Sequence, residues 1–150
     1  MRARFIRSLI AAASLVTLLA GAAAATPPLR EYGPIDDMAL PDVCAFPLFI
    51  HIAQNNEYIT TYFDRDGNPV RLHISGRLVI QVTRTDTGSS VEINASGPGS
   101  IDLVTGDFVA EGLFLQWGEN IDGLNVYRGR HDFDGIGSGS VISVCDLLAD

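Results

Sequence analysis

From Phe46 onward, apolar and polar side chains alternate along the chain, and this two-residue period constrains the fold more than any other feature of the sequence. In "SVEINAS", which begins at Ser90, the valine, isoleucine and alanine share one face of an extended chain, and the glutamate and asparagine share the other. The stretches "FPLFIHIA", "PVRLHIS" and "RLVIQV" show the same period. Because successive side chains of a β-strand point to opposite faces, the pattern predicts half-buried antiparallel strands. A helical turn is expected only in the tail "VCDLLAD".

Clusters of Asp, Asn, Ser and Gly separate these stretches at short intervals, for example "DRDGN" at 64–68, "TDTGS" at 85–89 and "SGPGS" at 96–100. Such residues accept the positive φ angles that tight hairpin turns require. The sequence therefore predicts a single all-β domain of about eight or nine antiparallel strands with hairpin connections. A β-barrel and a β-sandwich would both protect the sheet edges, and the sequence does not decide between them.

The first 25 residues (1–25) have the pattern of a secretory signal peptide. Three arginines precede a short apolar stretch, Ile10–Leu19, which is followed by a run of alanines that ends at Ala25. Small residues of this kind precede signal-peptidase cleavage sites. We expect cleavage after Ala25 and a secreted, extracellular protein. The apolar stretch is shorter than the ~20 residues of a transmembrane helix, so no membrane span is expected after cleavage.

Beyond the signal peptide, the chain divides by composition. Residues 26–43, rich in proline and acidic side chains, are expected to form a loose N-terminal arm, and residues 44–150 the all-β domain. Removing the three arginines of the signal leaves seven basic and eighteen acidic side chains, a net charge of −11 against −8 for the whole sequence. Nucleic acids and anionic membrane surfaces bind basic protein faces. The acidic balance therefore argues against both as partners.

Cys44 and Cys145 are the two cysteines of the sequence, and they lie near the two ends of the predicted domain. In an oxidising compartment a disulfide is the default state of such a pair. The bond would close a loop of about 100 residues, for which the chain-entropy model gives roughly 4–5 kcal/mol. We therefore expect a disulfide that joins the two ends of the domain.

The stretch "YRGRHDFDG", Tyr127 to Gly135, holds the densest set of chemically able side chains in the sequence. Arg128 and Arg130 share one face of an extended chain and are able to clamp a carboxylate or phosphate. His131 is a candidate for an acid–base pair with Asp132 or Asp134, but the neighbours His131 and Asp132 point to opposite faces of a strand. The alternative interpretation is a strand end followed by a polar turn, with the arginines as counterions of an acidic surface.

Apolar residues fill most positions of "GLFLQW", Gly112 to Trp117. This pattern predicts a central strand that is covered on both faces, or one that is bent by a bulge at Gly112. Trp117, Tyr127 and Phe114 are either core residues or the lining of a small apolar pocket. The candidate ligand-binding residues are accordingly Trp117 together with Arg128, Arg130 and His131.

Two patterns suggest metal binding at first sight, but each has a simpler explanation. Asp64, Asp66 and Asn68 have the spacing that opens a calcium loop, yet the glycine comes one position early and position twelve is a serine. A hairpin turn on Asp66-Gly67 accounts for the same residues. The three histidines lie on different predicted strands and lack a local metal-ligand spacing; they are His51, His73 and His131. We expect the histidines to be solvent-facing or hydrogen-bonded structural residues. We therefore expect no metal and no cofactor.

Four segments, "CAFPLFIHI", "GRLVI", "EGLFLQWG" and "GSGSVISVCDLLA", resemble a group of uncharacterised small secreted proteins from actinobacteria. The resemblance spans roughly the whole chain after the signal peptide. It implies an exported all-β domain with one disulfide between the terminal cysteines. It implies no activity, and no functional residues are carried over from it.

The leading hypothesis for function is a non-catalytic extracellular module that binds a small molecule or an envelope component. The sequence has neither a G-x-S-x-G nucleophile elbow nor a phosphate-binding GxxxxGK[ST] loop. One alternative is a secreted hydrolase whose acid–base residues meet only in the fold. Another is an interaction protein or inhibitor that acts through an exposed loop such as "QWGENIDG" at 116–123. A ligand binder should contain an apolar cavity lined by aromatics such as Trp117, and a hydrolase should place a histidine beside a carboxylate in a cleft.

Overall fold

The computed structural model of the chain describes residues 26–118, 121–132 and 137–149. The expected signal peptide and part of the stretch that follows Asp132 lie outside these ranges. The described residues form eleven β-strands and one short helix, which confirms an all-β fold. The elements are β1 (Leu29–Tyr32), β2 (Met38–Leu40), β3 (Leu48–Asn55), β4 (Tyr58–Phe63), β5 (Pro69–Ser75), β6 (Leu78–Arg84), β7 (Ser90–Asn94), β8 (Gly99–Asp102), β9 (Phe108–Gly118), β10 (Ile121–His131), β11 (Gly137–Ser143) and α1 (Val144–Leu147).

The strands form two antiparallel sheets. The larger sheet has seven strands in the order β1-β4-β5-β8-β9-β10-β11, and the smaller has four in the order β2-β3-β6-β7. Most neighbours in space are also neighbours in sequence, as the predicted hairpins require. No closed barrel is found among the described strands.

The N-terminal arm, residues 26–43, is more ordered than its composition suggests. β1 pairs with β4 in the larger sheet, and β2 pairs with β3 in the smaller one. Strands of four and three residues flanked by prolines are too short to show a period, which explains why the sequence suggests a loose arm. The other nine described strands lie within residues 44–150, in agreement with the eight or nine expected there.

The chain crosses between the two sheets at four places, after β1, β3, β5 and β7. The connection after β1 contacts the one after β3, since the Gly33 N–H donates to the Glu57 carbonyl at 3.0 Å. The first of the other three is Asn56-Glu57 between β3 and β4, whose Asn56 N–H donates to the Arg77 carbonyl of the second at 2.8 Å. Gly76 has a φ of +147°, and a Cβ there would collide with the Asn56 and Glu57 backbone. In the connection after β7, the Ala95 N–H donates to the Leu78 carbonyl at 2.9 Å. The connections therefore lie together at one end of the molecule.

Side chains from both sheets and from α1 form the hydrophobic core. Its fully buried members, each at most 1 % exposed, are Leu48, Ile50, Ile80, Val82, Leu124 and Val144. The alternation read from the sequence is confirmed in β3, β6 and β7, whose inward positions are the apolar ones. The helix α1 confirms the helical turn expected in the tail. No helix in the described part of the chain is long and apolar enough to cross a membrane.

A disulfide joins Cys44 to Cys145, as expected, with 5.6 Å between the Cα atoms and 101 residues of sequence between them. It connects the segment between β2 and β3 to the first turn of α1. The Leu124 N–H donates to the Cys145 sulfur at 3.4 Å, and a Cβ on Gly123 would lie 2.9 Å from the same sulfur. The bond therefore fixes α1 against the start of β10.

β9 is central in the larger sheet, between β8 and β10. Leu113, Phe114 and Leu115 are all partly buried, and since successive side chains point to opposite faces, the strand is covered on both faces as predicted. The expected bulge at Gly112 is also present. The Glu111 N–H donates to the Pro98 carbonyl, and the Gly97 N–H donates to the Leu113 carbonyl. The second bond is shifted by one residue from the pairing register that the first one sets. Gly112 supplies the positive φ of +86° that this irregularity needs.

Candidate functional site

An apolar cavity of about 230 Å³ is lined by both sheets at the end of the molecule where the chain crosses between them. Eleven of its twelve lining residues are apolar. A dry cavity of about 150 Å³ in another protein binds benzene, so this volume is sufficient for a small organic molecule. The walls are formed chiefly by Ile50, Ile52 and Leu78 of the smaller sheet and by Ile74, Phe114 and Trp117 of the larger one.

Trp117 and Phe114, two of the three aromatics expected to line an apolar pocket, both contribute to this cavity. Trp117 is 37 % exposed, so its indole borders both the cavity and solvent. Tyr127, the third, is buried instead in a separate aromatic cluster with Phe114, Phe108 and His131.

Glu57 is the twelfth lining residue and the polar one. It lies in the two-residue connection that leads from β3 to β4. Its N–H donates to Asn55 Oδ1 at 2.9 Å, and its carbonyl accepts from the Gly33 N–H at 3.0 Å. The Asn55 side-chain amide in turn donates to the Gly33 carbonyl at 2.8 Å. The backbone that carries the Glu57 carboxyl is therefore held at a fixed position on the cavity wall.

The Glu57 residue is only 6 % exposed. Its carboxylate makes no hydrogen bond or ion pair with any described residue. Burial alone raises the pKa of the Glu57 carboxyl, with no compensating charge or donor. The carboxylate is thus partly desolvated at the edge of the cavity and has no charge partner, whereas acidic side chains in such places are normally paired. It is the strongest polar feature of the cavity.

We expect Glu57→Gln to stabilise the protein at neutral pH, by a fraction of the ~1–3 kcal/mol that a fully buried unpaired group costs, because the variant removes a partly desolvated charge that has no partner. The folded-state pKa of Glu57 is raised, so below its ordinary value of 4.5 both folded and unfolded chains hold the proton and the charge costs nothing. As pH rises above that value the unfolded chain ionises first, and the wild type loses stability relative to the variant. The gain should therefore be present at pH 7 and disappear towards pH 4.

Urea unfolding of both proteins at pH 4 and pH 7 measures this difference. Glu92→Gln, at an exposed position of β7, is the matched control and should change stability equally little at both values. A Glu57→Gln variant that is no more stable than the wild type at pH 7 would contradict the expectation.

Arg128 and Arg130, predicted as ligand-binding residues, are exposed on β10 opposite Ser140 and Ser138 of the edge strand β11. With His131 they line a recess of about 40 Å³. Arg130 and His131 also border a second recess of about 270 Å³ together with Asp132. The structure therefore brings these three residues near one another but places Trp117 at a different cavity.

His131 is 4 % exposed and belongs to the aromatic cluster. Its ring stacks on Tyr127 with 4.7 Å between ring centroids and an interplanar angle of 24°, and it lies 5.5 Å from the Phe114 ring. Neither ring nitrogen has a hydrogen-bond partner among the described residues. Burial lowers the pKa of His131. His131 is therefore not solvent-facing, and its ring packs against Tyr127 and Phe114.

The other two histidines occupy separate places. His51 Nδ1 lies 2.8 Å from the Asp37 carboxylate on an exposed surface, and this hydrogen bond lowers the pKa of Asp37. His73 Nδ1 lies 3.0 Å from Ser100 Oγ on the adjacent strand. Both fit the structural role expected for them. Within the described ranges, no group of three metal-ligating side chains comes together.

The stretch 64–68 is the hairpin turn between β4 and β5, as predicted. The Asp64 carboxylate accepts from the backbone N–H of Asp66 at 2.9 Å and of Asn68 at 2.8 Å. Gly67 has a φ of +84°, which the turn requires. Since the turn itself uses the Asp64 oxygens, the stretch needs no cation to explain it.

Glu57 could not be identified as a site residue from the sequence. In "QNNEYIT" it is one of several polar residues between two alternating stretches, where a loop is the natural interpretation. Glu57 is buried because the chain crosses between the sheets at this point. The local alternation of apolar and polar residues does not reveal such a crossing.

Comparison of this chain with protein-family models, with curated proteins and with solved structures finds no match.

Proposed function

We propose that this protein is a secreted, non-catalytic binding module that holds a small apolar molecule in the cavity between its sheets. The observation that carries the proposal is the cavity itself, about 230 Å³ in volume and apolar at eleven of twelve lining residues. Ligand sites are typically concave, mainly apolar and provided with a few polar groups that orient the ligand. The Glu57 carboxyl supplies such a group. Export is supported by the disulfide, since such bonds persist in oxidising compartments.

In this proposal the two sheets pack face to face as a β-sandwich rather than closing into a barrel. Two separately hydrogen-bonded sheets and a core that takes side chains from both support that arrangement. The cavity is then a gap in the layer between the sheets, where the connections of the chain hold them apart. The hydrolase hypothesis has weaker support: His131 and Asp132 border one recess, but His131 is 4 % exposed and packs among aromatic rings.

Filling the cavity should abolish binding. Ala95 lines the cavity and is 3 % exposed, so Ala95→Leu places a larger side chain in the ligand volume. We expect the neutral probe 2-phenylethanol to change the fluorescence of Trp117, the one tryptophan of the sequence, in a saturable way. Ala95→Leu should weaken this binding by at least about tenfold, equivalent to 1.4 kcal/mol.

Ala53→Leu is the matched control, because Ala53 is exposed on β3 and does not line the cavity. It should bind the probe within about twofold of the wild type, a difference of less than 0.5 kcal/mol. The proposal fails if a folded Ala95→Leu protein binds as the wild type does, or if the wild type shows no saturable response.

A further inference from the structure

We propose that the occupant of the cavity is an amphipathic amine, a small apolar body with a protonated amino group that pairs with the Glu57 carboxylate. This inference rests on the proposed function, because it names the chemical class of the molecule bound in the same cavity.

The surroundings of Glu57 favour a cationic ligand. The Glu57 residue is 6 % exposed and borders apolar walls, and its carboxylate has no protein partner among the described residues. The elements that meet this connection contribute backbone groups of Gly33 and Arg77 and the Asn55 amide, all of which bond to backbone. A partly desolvated carboxylate without a charge partner is costly, and an opposite charge with N–H donors reduces that cost. A ligand ammonium supplies both.

The charges around the cavity favour an amine over a neutral or acidic ligand. The described cavity lining contains no cation, so a carboxylate ligand would face Glu57 with like charge and nothing to balance it. The sequence as a whole carries a net charge of −8, which attracts cations and repels anions over the approach path. An alcohol would donate one hydrogen bond but leave the negative charge uncompensated.

Two aromatic side chains in the cavity wall also favour an amine. Trp117 and Phe114 both line the cavity that Glu57 borders. The faces of aromatic rings attract ammonium groups, and tryptophan does so most strongly. The same rings pack well against the apolar body of the ligand. The cavity therefore combines one acid with aromatic and aliphatic walls, which is the composition that suits an organic amine.

The volume limits the size of the ligand. By proportion to the ~150 Å³ cavity that accepts benzene, a cavity of about 230 Å³ suits a molecule of about ten non-hydrogen atoms. Phenethylamine, with one ring and a two-carbon amine, is a suitable probe. 2-Phenylethanol and phenylacetate have nearly the same shape and are neutral and anionic, respectively.

The test compares the three probes on the full-length wild type and on Glu57→Gln, by Trp117 fluorescence at pH 7.5. We expect the wild type to bind phenethylamine at least about tenfold more tightly than 2-phenylethanol and phenylacetate, a difference of 1.4 kcal/mol or more. Glu57→Gln should lose that preference and keep its affinity for 2-phenylethanol. Glu92→Gln, which changes an exposed acid of β7, should behave as the wild type.

If Glu57→Gln fails to fold, a second measurement on the wild type alone still tests the proposal. Glu57 is the one titratable residue among those lining the cavity in the described ranges. At pH 4 its carboxyl is largely protonated while phenethylamine stays charged, so amine binding should weaken by at least about tenfold between pH 7.5 and pH 4. Binding of 2-phenylethanol should hardly change.

The outcomes separate the two proposals. If 2-phenylethanol binds and is lost in Ala95→Leu, but phenethylamine binds no better, the cavity is a binding site and the amine inference is overturned. The same holds if Glu57→Gln keeps the amine preference, or if the preference survives at pH 4. If none of the three probes binds the wild type, the proposed function itself is wrong.

Discussion

A double variant, Cys44→Ala with Cys145→Ala, should lose about 4–5 kcal/mol of its free energy of unfolding, because the disulfide closes a loop that spans 101 residues of sequence. Restraining so long a loop removes a large conformational entropy from the unfolded chain. Small domains are stable by only about 5–15 kcal/mol in total. The variant should therefore be marginally folded at best. Urea unfolding of wild type and variant, followed by circular dichroism, measures the loss.

Reduction of the wild type with dithiothreitol is the natural control, since it breaks the same bond without changing the sequence. Its midpoint should fall to nearly that of the double variant. A loss below about 1 kcal/mol would contradict the entropic account, and would show that α1 and β10 hold their packing without the bond.

Leu124→Ala is expected to cost about 3–4 kcal/mol, the second largest effect. Leu124 is 0 % exposed and belongs to the core cluster. It lies on β10 of the larger sheet, whereas its cluster neighbours Leu48 and Ile80 belong to the smaller one. Truncation removes apolar contacts and leaves a void in a closely packed core.

Thermal and urea unfolding of Leu124→Ala measure this cost. Leu103→Ala is the control with the same chemical change at a position that is 42 % exposed, and it should alter stability by less than about 1 kcal/mol. Equal effects of the two substitutions would mean that the core between the sheets is placed wrongly.

The strands were largely predictable, because their burial follows a local period. In β7, Val91 and Ile93 turn inward while Glu92 turns outward, as the alternation requires. The short strands β1 and β2 were not predictable, since three or four residues give no period to detect. Nor could the alternation assign β3 to one sheet and β4 to the other, because that depends on the backbone at Asn56 and on the close approach that Gly76 permits.

In the candidate site, too, some residues were predictable from the sequence and others were not. Trp117 and Phe114 were recognisable as aromatics able to line a pocket, because large rings stand out in any sequence. The stretch around Arg128 and His131 was predicted as a ligand site because of its many charged and polar side chains. In the structure its arginines are exposed, and its histidine packs among aromatic rings. Glu57, a single acid in a polar connection, owes its importance to burial that only the three-dimensional arrangement creates.

The position of Cys145 also sets an order of events during biosynthesis. It follows all eleven described strands, while Cys44 precedes nine of them. The partner thiol therefore leaves the ribosome only after every one of these strands has been made. The bond between Cys44 and Cys145 therefore forms only after all the described strands have been synthesised, and it joins the two ends of the domain late in biosynthesis.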